Sequence, residues 1–310
     1  MRFAAAVLSV GVVHSANSLE LAQSPLFLAQ PVKPIVMLNM SNDHQLYFKA
    51  YDDYTDLDED GVADTTYMND YAYYGYFDSN KCYSYESSKF VPKAETTDYY
   101  CDAVDGEWSG NFLNWATMTR MDAVRKILYG GYRSTDNAYD AADASKDGET
   151  VLERAFLPHD AHSFAKYYNG NDIKSLTPFD VTGGANSTTS GITICNTTPG
   201  TGSSESVTNA PELRIVQGNY SLWASNERWQ CRWGTGNNGN DVDDSGINAY
   251  SSAPSAGDGD TYTVRVEVCV SGMEEENCRS YPDGNTKPAG LLQKYGEDGD
   301  ILFGLMTGSY

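Results

Sequence analysis

Carboxylates at alternate positions are the feature of this sequence with the clearest chemistry. The acids are Asp56, Asp58, Asp60 and Asp64, and Gly61 and Val62 lie between the last two. This spacing matches the start of an EF-hand loop, in which alternate oxygen ligands converge on one Ca²⁺ ion. The glycine permits the sharp turn, and the carbonyl of the next residue binds the ion as well. The sequence therefore predicts a structural calcium site.

The loop departs from the EF-hand pattern at its twelfth position. Tyr67 stands where a bidentate glutamate is usual, so we expect Asp52 or Asp53 to supply the missing ligand. Five acids within nine residues repel one another without a cation, which favours calcium over the alternative of a solvated acidic turn. A second acidic cluster at 241–246 lacks acids at the later ligand positions and is interpreted as a polar loop.

Six cysteines are the second chemical feature of the chain. An even number in an exported protein predicts three disulfides, whereas no CxxC motif supports a zinc site. Sequence alone permits many pairings, and our working hypothesis pairs neighbours along the chain. The cysteines, in order, are Cys82, Cys101, Cys195, Cys231, Cys269 and Cys278.

Catalytic residues are scarce. The chain has 4 histidines, and the pair His159 and His162 beside Asp160 has no nucleophile or third ligand nearby in sequence. No GxSxG motif is present. We therefore predict that the protein is not an enzyme, with a secreted calcium-stabilised hydrolase and a structural calcium-binding spacer as the alternatives.

Several periodic segments indicate the elements that position these residues. Two apolar runs, at 35–38 and 301–306, are typical of strands buried on both faces of a parallel sheet. Residues 261–270 alternate like one strand, and residues 151–168 are interpreted as a helix interrupted by Pro158. Twelve of the 23 tyrosines lie between Tyr47 and Tyr100, which predicts irregular β-structure there.

The strongest helix signal begins after Thr119. Thr119 and Asp122 form a capping-box pattern, and Gly130 provides a C-terminal stop. A shorter helix is predicted at 112–116, and another is expected after Pro288, closed by Gly296.

Composition and the N-terminus indicate export. Lysine and arginine number 21 against 43 acids, for a net charge of -22, which argues against nucleic acid as a partner. Residues 1–18 resemble a signal peptide, with Arg2 followed by a short apolar stretch. The alternative, a membrane anchor, needs about 20 apolar residues, so no membrane span is expected in the mature chain.

Four collinear blocks resemble one family. They are KPIVMLNMSNDHQLYFKAY, NFLNWATMTRMDAVRKILYGG, VLERAFLPHDAHSFAKYY and KPAGLLQKYGEDGDILFGLMTGSY, spread over residues 33–310. The chain resembles the PilY family of tip-associated adhesins and biogenesis proteins of type IV pili. The resemblance implies an α/β fold with a partial von Willebrand factor A-like parallel sheet and large disulfide-bearing insertions. It also implies that the chain is a fragment lacking a C-terminal propeller.

The resemblance also implies a domain plan. A leader at 19–34 precedes the first part of the A-like domain at 35–130, which carries a tyrosine-rich insertion at 44–110. A β- and loop-rich insertion at 131–287 follows, and residues 288–310 return as a helix and strand. The runs at 35–38 and 301–306 are then parallel neighbours, with the helix that begins at Arg120 packed behind them.

A domains of this kind bind Mg²⁺ through an Asp-x-Ser-x-Ser motif after their first strand. The matching positions here are Asn39, Ser41 and Asp43, which form a degenerate version of this adhesion site. The alternative is a turn in which these side chains satisfy backbone groups. The resemblance implies minor pilins, the pilus tip and a host or abiotic surface as partners. It implies a cell-surface location at the pilus tip, reached through the periplasm.

Overall fold

The chain folds as a mixed α/β protein. The computed structural model describes residues 32–41, 43–102, 107–143, 148–157, 163–199, 209–225, 231–234 and 248–308. The predicted signal peptide at 1–18, the histidine-containing segment 158–162 and the acidic cluster at 241–246 lie outside these ranges. No helix in the described ranges is long and apolar enough to cross a membrane.

Strands outnumber helices in the described ranges. The strands are β1 (Ile35–Met40), β2 (Lys81–Glu86), β3 (Lys89–Glu95), β4 (Trp108–Ser109), β5 (Arg133–Asp136), β6 (Thr150–Glu153), β7 (Phe164–Tyr168), β8 (Ile192–Thr197), β9 (Glu212–Gln217), β10 (Gly259–Thr263), β11 (Arg265–Val268), β12 (Cys278–Ser280), β13 (Thr286–Pro288) and β14 (Leu302–Thr307). The α-helices are α1 (Gly110–Thr117), α2 (Arg120–Tyr129), α3 (Ile173–Leu176) and α4 (Leu291–Gly296), and a 3₁₀ helix covers His44–Tyr47.

The predicted parallel neighbours are confirmed. β1 and β14 pair in parallel, with Ile35 opposite Leu302 and Met40 opposite Thr307. The prediction that both strands are buried is wrong, because Ile35 is 70% exposed and Leu305 is 66% exposed. In the described ranges these two strands form a sheet of their own, so no further strand or layer covers most of their apolar side chains.

We expected α2 to pack behind this pair of strands. In the structure α4 lies against β14, and α2 packs on α4. A Cβ built on Gly296 of α4 would lie 3.4 Å from the Phe303 ring of β14. The α2 helix therefore reaches the β1–β14 pair through α4.

Two larger sheets hold most of the remaining strands. One has six strands in the order β4-β2-β3-β11-β6-β5, and the other has four antiparallel strands in the order β10-β9-β8-β7. The six-stranded sheet is mixed, since β11 runs parallel to β3 and antiparallel to β6. It joins strands from both predicted insertions, 44–110 and 131–287, so the two segments form one structural unit.

Two element predictions in this region are wrong. Residues 261–270 are not one strand. The strand is interrupted at Val264, where the chain passes from β10 in one sheet to β11 in the other. Within the predicted helix at 151–168, the described residues 151–157 and 163–168 are not helical, and this part of the chain contributes β6 and β7. Alternation and apolar runs report local conformation, and they carry no information about which sheet a strand joins.

The α2 helix forms as predicted. The Thr119 side chain accepts from the Asp122 backbone N–H, the Asp122 side chain accepts from the Thr119 N–H, and Gly130 adopts the left-handed conformation with φ 86°. Asp122 also accepts a hydrogen bond from the Ala155 N–H at 2.7 Å, so the capping residue fastens the helix to the chain after β6. Burial raises the pKa of Asp122, although these hydrogen bonds lower it.

The α1 helix is buried on every side and holds the tyrosine-rich segment in place. All its residues are buried, and two of them are asparagines. Asn111 accepts from the Tyr73 N–H at 2.8 Å and donates to the Tyr71 carbonyl at 2.9 Å. Asn114 accepts from the Phe77 N–H at 3.1 Å and donates to the carbonyls of Tyr73 and Phe77. These bonds satisfy buried backbone that has no strand or helix partner.

Replacing Asn114 by leucine is expected to lower the free energy of unfolding by about 3 kcal/mol or more. The buried Phe77 N–H and the carbonyls of Tyr73 and Phe77 lose their partners, and each such loss costs about 1–3 kcal/mol. Urea denaturation followed by tryptophan fluorescence measures the change. Asn80→Leu, at an exposed asparagine in the neighbouring turn, is the matched control. If the unfolding midpoint of Asn114→Leu equals those of Asn80→Leu and the wild type, the role assigned to Asn114 is contradicted.

Candidate metal centre

The predicted calcium loop is a tight turn whose carboxylates face one another. Ligand oxygens of Asp56, Asp58 and Asp64 all lie within 4.8 Å of one another. Asp56 accepts hydrogen bonds from the N–H groups of Asp60 and Gly61, at 3.1 and 2.8 Å. Gly61 has φ 91°, a conformation that glycine adopts without strain. The backbone therefore turns as the spacing of the acids predicted.

The two ends of the loop are fastened together. Asp64 accepts a hydrogen bond from the Leu57 N–H at 2.7 Å, and its own N–H donates to the Thr55 carbonyl at 3.0 Å. This closure brings Asp64, at the ninth position of the pattern, beside the first and third positions. Asp60, at the fifth, accepts instead from the Val62 N–H at 2.7 Å.

The electrostatics of the loop favour a bound cation. The hydrogen bond from the Asp60 N–H lowers the pKa of Asp58. Desolvation and the negative charges of Asp60, Asp64 and Asp56 together outweigh this bond, so the pKa of Asp58 is raised. A raised carboxyl pKa in a cluster of carboxylates reports their mutual repulsion. Hard cations such as Ca²⁺ relieve this repulsion by binding several carboxylate oxygens. The donor set therefore fits calcium.

Asp52 and Asp53, the two residues proposed to complete the loop, are engaged elsewhere, and so is the tyrosine at its twelfth position. Tyr67, at the twelfth position, is 4% exposed and stacks on Tyr73 in the core. The Asp53 carboxylate binds the Lys166 ammonium at 2.6 Å. Asp52 accepts from the Tyr54 N–H and the Thr55 hydroxyl, both at 3.0 Å.

The Asp53–Lys166 ion pair joins the chain next to the loop to β7. The Lys166 side chain is 1% exposed, its ammonium lies 4.6 Å from the centre of the Trp115 ring, and the Trp115 indole N–H donates to Asp53 at 3.0 Å. Burial lowers the pKa of Lys166 to about 8, although the charge of Asp53 opposes this. The two residues are 113 positions apart, and no sequence signal linked them.

The degenerate adhesion site is engaged in a turn. Asn39 is exposed near the end of β1, while the Ser41 hydroxyl accepts from the Asp43 N–H at 3.0 Å. Asp43 caps the 3₁₀ helix by accepting from the Gln45 N–H at 3.0 Å. Among the described residues, Asp43 is not part of a cluster of three or more His, Cys, Asp or Glu side chains. The magnesium site therefore stays a prediction, and the geometry matches the alternative turn.

The cysteines pair as neighbours, as the working hypothesis had it. The disulfides are Cys82–Cys101, Cys195–Cys231 and Cys269–Cys278. The third encloses the buried Glu275, whose carboxylate accepts from the Cys269 N–H at 2.7 Å and binds the Lys81 ammonium at 2.8 Å. This ion pair docks the disulfide loop on β2, and sequence reasoning did not find it because its partners are 194 residues apart.

Comparison with known proteins relates the chain to one family. A family model described as "PilY1 homolog, small alpha/beta domain" matches residues 64–217. Two curated relatives from Xylella fastidiosa strain Temecula1, both named "Type IV pilus biogenesis factor PilY1 homolog", are 35% identical over 286 residues and 30% identical over 246 residues. These alignments cover 88% and 76% of this chain but 18% and 17% of the relatives, so the chain spans less than a fifth of their length. No solved structure matches the chain.

Replacing Asp53 by asparagine is expected to lower the free energy of unfolding by about 3 kcal/mol, because it leaves the buried Lys166 ammonium without its counter-charge. The double variant Asp53→Asn with Lys166→Met removes the charge as well and is expected to recover part of the loss. Chemical denaturation of the wild type, both single variants and the double variant gives the coupling energy. Strictly additive losses would show that the pair does not interact.

Proposed function

Because the chain belongs to the family of PilY1 homologs, we propose that it takes part in type IV pilus biogenesis and in attachment of the pilus tip to surfaces. The observation that carries this proposal is the 35% identity, over 88% of the chain, to a relative named as a type IV pilus biogenesis factor. Minor pilins are the proposed assembly partners, and a host or abiotic surface is the proposed adhesion ligand.

The disulfides support a role outside the cytoplasm. Structural disulfides persist in oxidising compartments such as the periplasm and the cell surface. All six cysteines of this chain are in disulfides, with none free. A pilus-associated location, reached through the periplasm, is therefore the proposed localisation, and residues 1–18 are the proposed export signal.

The proposal includes a von Willebrand A-like arrangement around β1 and β14. Two parallel strands from opposite ends of the chain, with α4 against one of them, support it. Asn39 lies near the carboxyl end of β1, and Ser41 and Asp43 follow it, at the edge where ligands of open α/β sheets bind. Mg²⁺ binding there is proposed as an aid to adhesion, and a calorimetric titration that gives the same heats for wild type and Asp43→Ala would remove it.

The loop at 56–64 is proposed to bind Ca²⁺ in a structural role. Its carboxylates converge, and it lies next to the Asp53–Lys166 pair that joins this part of the chain to β7. A cation there offsets the repulsion among the acids and stiffens the start of the tyrosine-rich segment. A non-enzymatic role remains part of the proposal, and the name of the relative, a pilus biogenesis factor, supports it.

Calcium is expected to raise the melting temperature. A ligand at a hundredfold excess over its Kd adds about 2.7 kcal/mol, which for a chain of this size is a shift of about 5 °C or more. Asp58→Asn keeps the acceptor for the Asp60 N–H and removes one charge, so the calcium shift should shrink strongly. Asp70→Asn, at an exposed acid outside the loop, is the control. Equal melting temperatures in calcium and in chelator for the wild type would refute the site.

The biogenesis role is tested in a piliated bacterium that carries this gene. Deletion of the coding sequence is expected to reduce surface pili and surface attachment, and the intact gene is expected to restore both. A complementing allele with Cys82→Ser and Cys101→Ser together tests whether the first disulfide is needed. Electron microscopy counts pili, and a static adhesion assay measures attachment. Normal piliation and normal attachment in the deletion strain would overturn the proposal.

A further inference from the structure

A cleft of about 810 Å³ opens beside the Cys82–Cys101 disulfide. Its walls are the start of β2, the end of β3, the segment that leads to Cys101 and the loop enclosed by the third disulfide. We name it the acidic cleft, after the six acids that line it. These are Asp78, Glu95, Asp98, Asp102, Glu107 and Glu274. The disulfide joins two walls covalently and keeps them apart at a set distance.

The acidic cleft lacks positive charge that is free to balance these acids. Lys81 is the one basic residue among the described residues that line it. The Lys81 ammonium is already bound by Glu275 at 2.8 Å, Asp78 at 3.2 Å and the Met273 carbonyl at 2.6 Å. The charge of Lys81 is therefore already balanced on the inner wall. Among the described residues, the other five acids that line the cleft form no ion pair with a basic residue.

Glu107 makes the cleft more than a cluster of surface acids. It is 7% exposed, and among the described residues no group donates a hydrogen bond to it or forms an ion pair with it. Its backbone is anchored, because the adjacent Trp108 in β4 pairs with Tyr83 in β2. Burial raises the pKa of Glu107, while the distant charge of Lys93 lowers it. Among the described residues, the fully buried side-chain atoms without a hydrogen-bond partner are Arg154 Nε and Asn169 Oδ1, so the Glu107 carboxylate still reaches the cleft. A partly desolvated carboxylate among other carboxylates is stabilised by a cationic ligand.

The geometry distinguishes an organic cation from a metal ion. A divalent metal needs several oxygens converging within a few ångströms. In the described ranges, three carboxylates converge in this way at the 56–64 loop, and no such group occurs in the acidic cleft. The acids of the cleft are spread around a volume that accommodates a bound molecule of many atoms. Spaced carboxylates match the ammonium and guanidinium groups of several side chains better than one small ion.

We propose that the acidic cleft binds a basic segment of a partner protein, with a lysine or arginine side chain reaching Glu107. The N–H groups of that side chain supply the hydrogen bonds and the counter-charge that Glu107 lacks. The acids nearer the opening, such as Asp98 and Glu274, attract the flanking basic residues and orient the segment. The proposal rests on this cleft and does not depend on the pilus assignment.

The probe is a fluorescein-labelled heptapeptide in which glycine and lysine alternate, and binding is followed by fluorescence anisotropy. We expect saturable binding to the wild type, and a Kd that is at least about tenfold higher for Glu107→Gln, because a buried charge pair is lost. Glu86→Gln, at an exposed acid on the far end of the same hairpin, is the matched control and should leave the Kd unchanged. No saturable binding to the wild type, or equal Kd values for Glu107→Gln and wild type, overturns the proposal.

Two comparisons identify the kind of cation. Spermidine, Ca²⁺ and Mg²⁺ are titrated as competitors against the labelled peptide. The proposal expects each to compete only at concentrations well above the Kd of the peptide. Spermidine binding as tightly as the peptide would make the cleft a polyamine site, and a divalent ion binding as tightly would make it a metal site. Either result overturns the assignment to a protein partner.

Thermal melting without peptide provides a second test that does not depend on the choice of probe. Glu107→Gln removes one negative charge from a cluster of like charges at nearly constant volume, so its melting temperature should equal or exceed that of the wild type. A clearly lower melting temperature would mean that the Glu107 carboxylate stabilises the fold itself. That result would overturn its assignment as a ligand-binding group.

Discussion

Two asparagines on a buried helix carry the constraint on which this structure depends. The segment 70–79 crosses the core without forming a strand or helix, so its polar backbone groups have no regular partners. Asn111 and Asn114 of α1 supply those partners, and they need close approach to do so. A Cβ on Gly75 would lie 2.1 Å from the Asn114 side-chain oxygen. Because the segment is held in this way, Tyr73, Tyr76 and Phe77 are directed inward and form the core with the helix.

Buried basic residues also hold distant segments of the chain together. The chain has 21 of them against 43 acids, and several are buried at joints between distant segments. Lys81 binds Glu275, Lys166 binds Asp53, and the buried Arg154 donates to the carbonyls of Thr197 and Glu212. Cations used inside the fold are not free to neutralise the surface. The excess of carboxylates therefore collects in exposed places, among them the 56–64 loop and the acidic cleft.

The family match and the parallel strand pair occupy different parts of the chain. The matched region, 64–217, contains Asn111 and Asn114, the Cys82–Cys101 disulfide and most strands of the two large sheets. β1 and β14 lie outside it and pair with each other across the whole chain. The von Willebrand A-like arrangement is thus an interpretation of the flanks, whereas the α/β region between them is what the family model describes. The apolar side chains of β1 and β14 are largely exposed, whereas those of the region between them form the buried core.

Sequence by itself determined the features whose physical cause is local. Two features depend on groups a few residues apart, so spacing and residue type reveal them. They are the ends of α2, with its capping box and left-handed Gly130, and the turn of the 56–64 loop. The even number of cysteines is read directly from the composition. The pairing of 35–38 with 301–306 was found through resemblance. Only the tertiary structure decided the exposure of that pair, the break at Val264, the capture of Asp53 by Lys166 and the burial of Glu107. These depend on which distant surfaces exclude water from one another, and a chain's local pattern does not encode that exclusion.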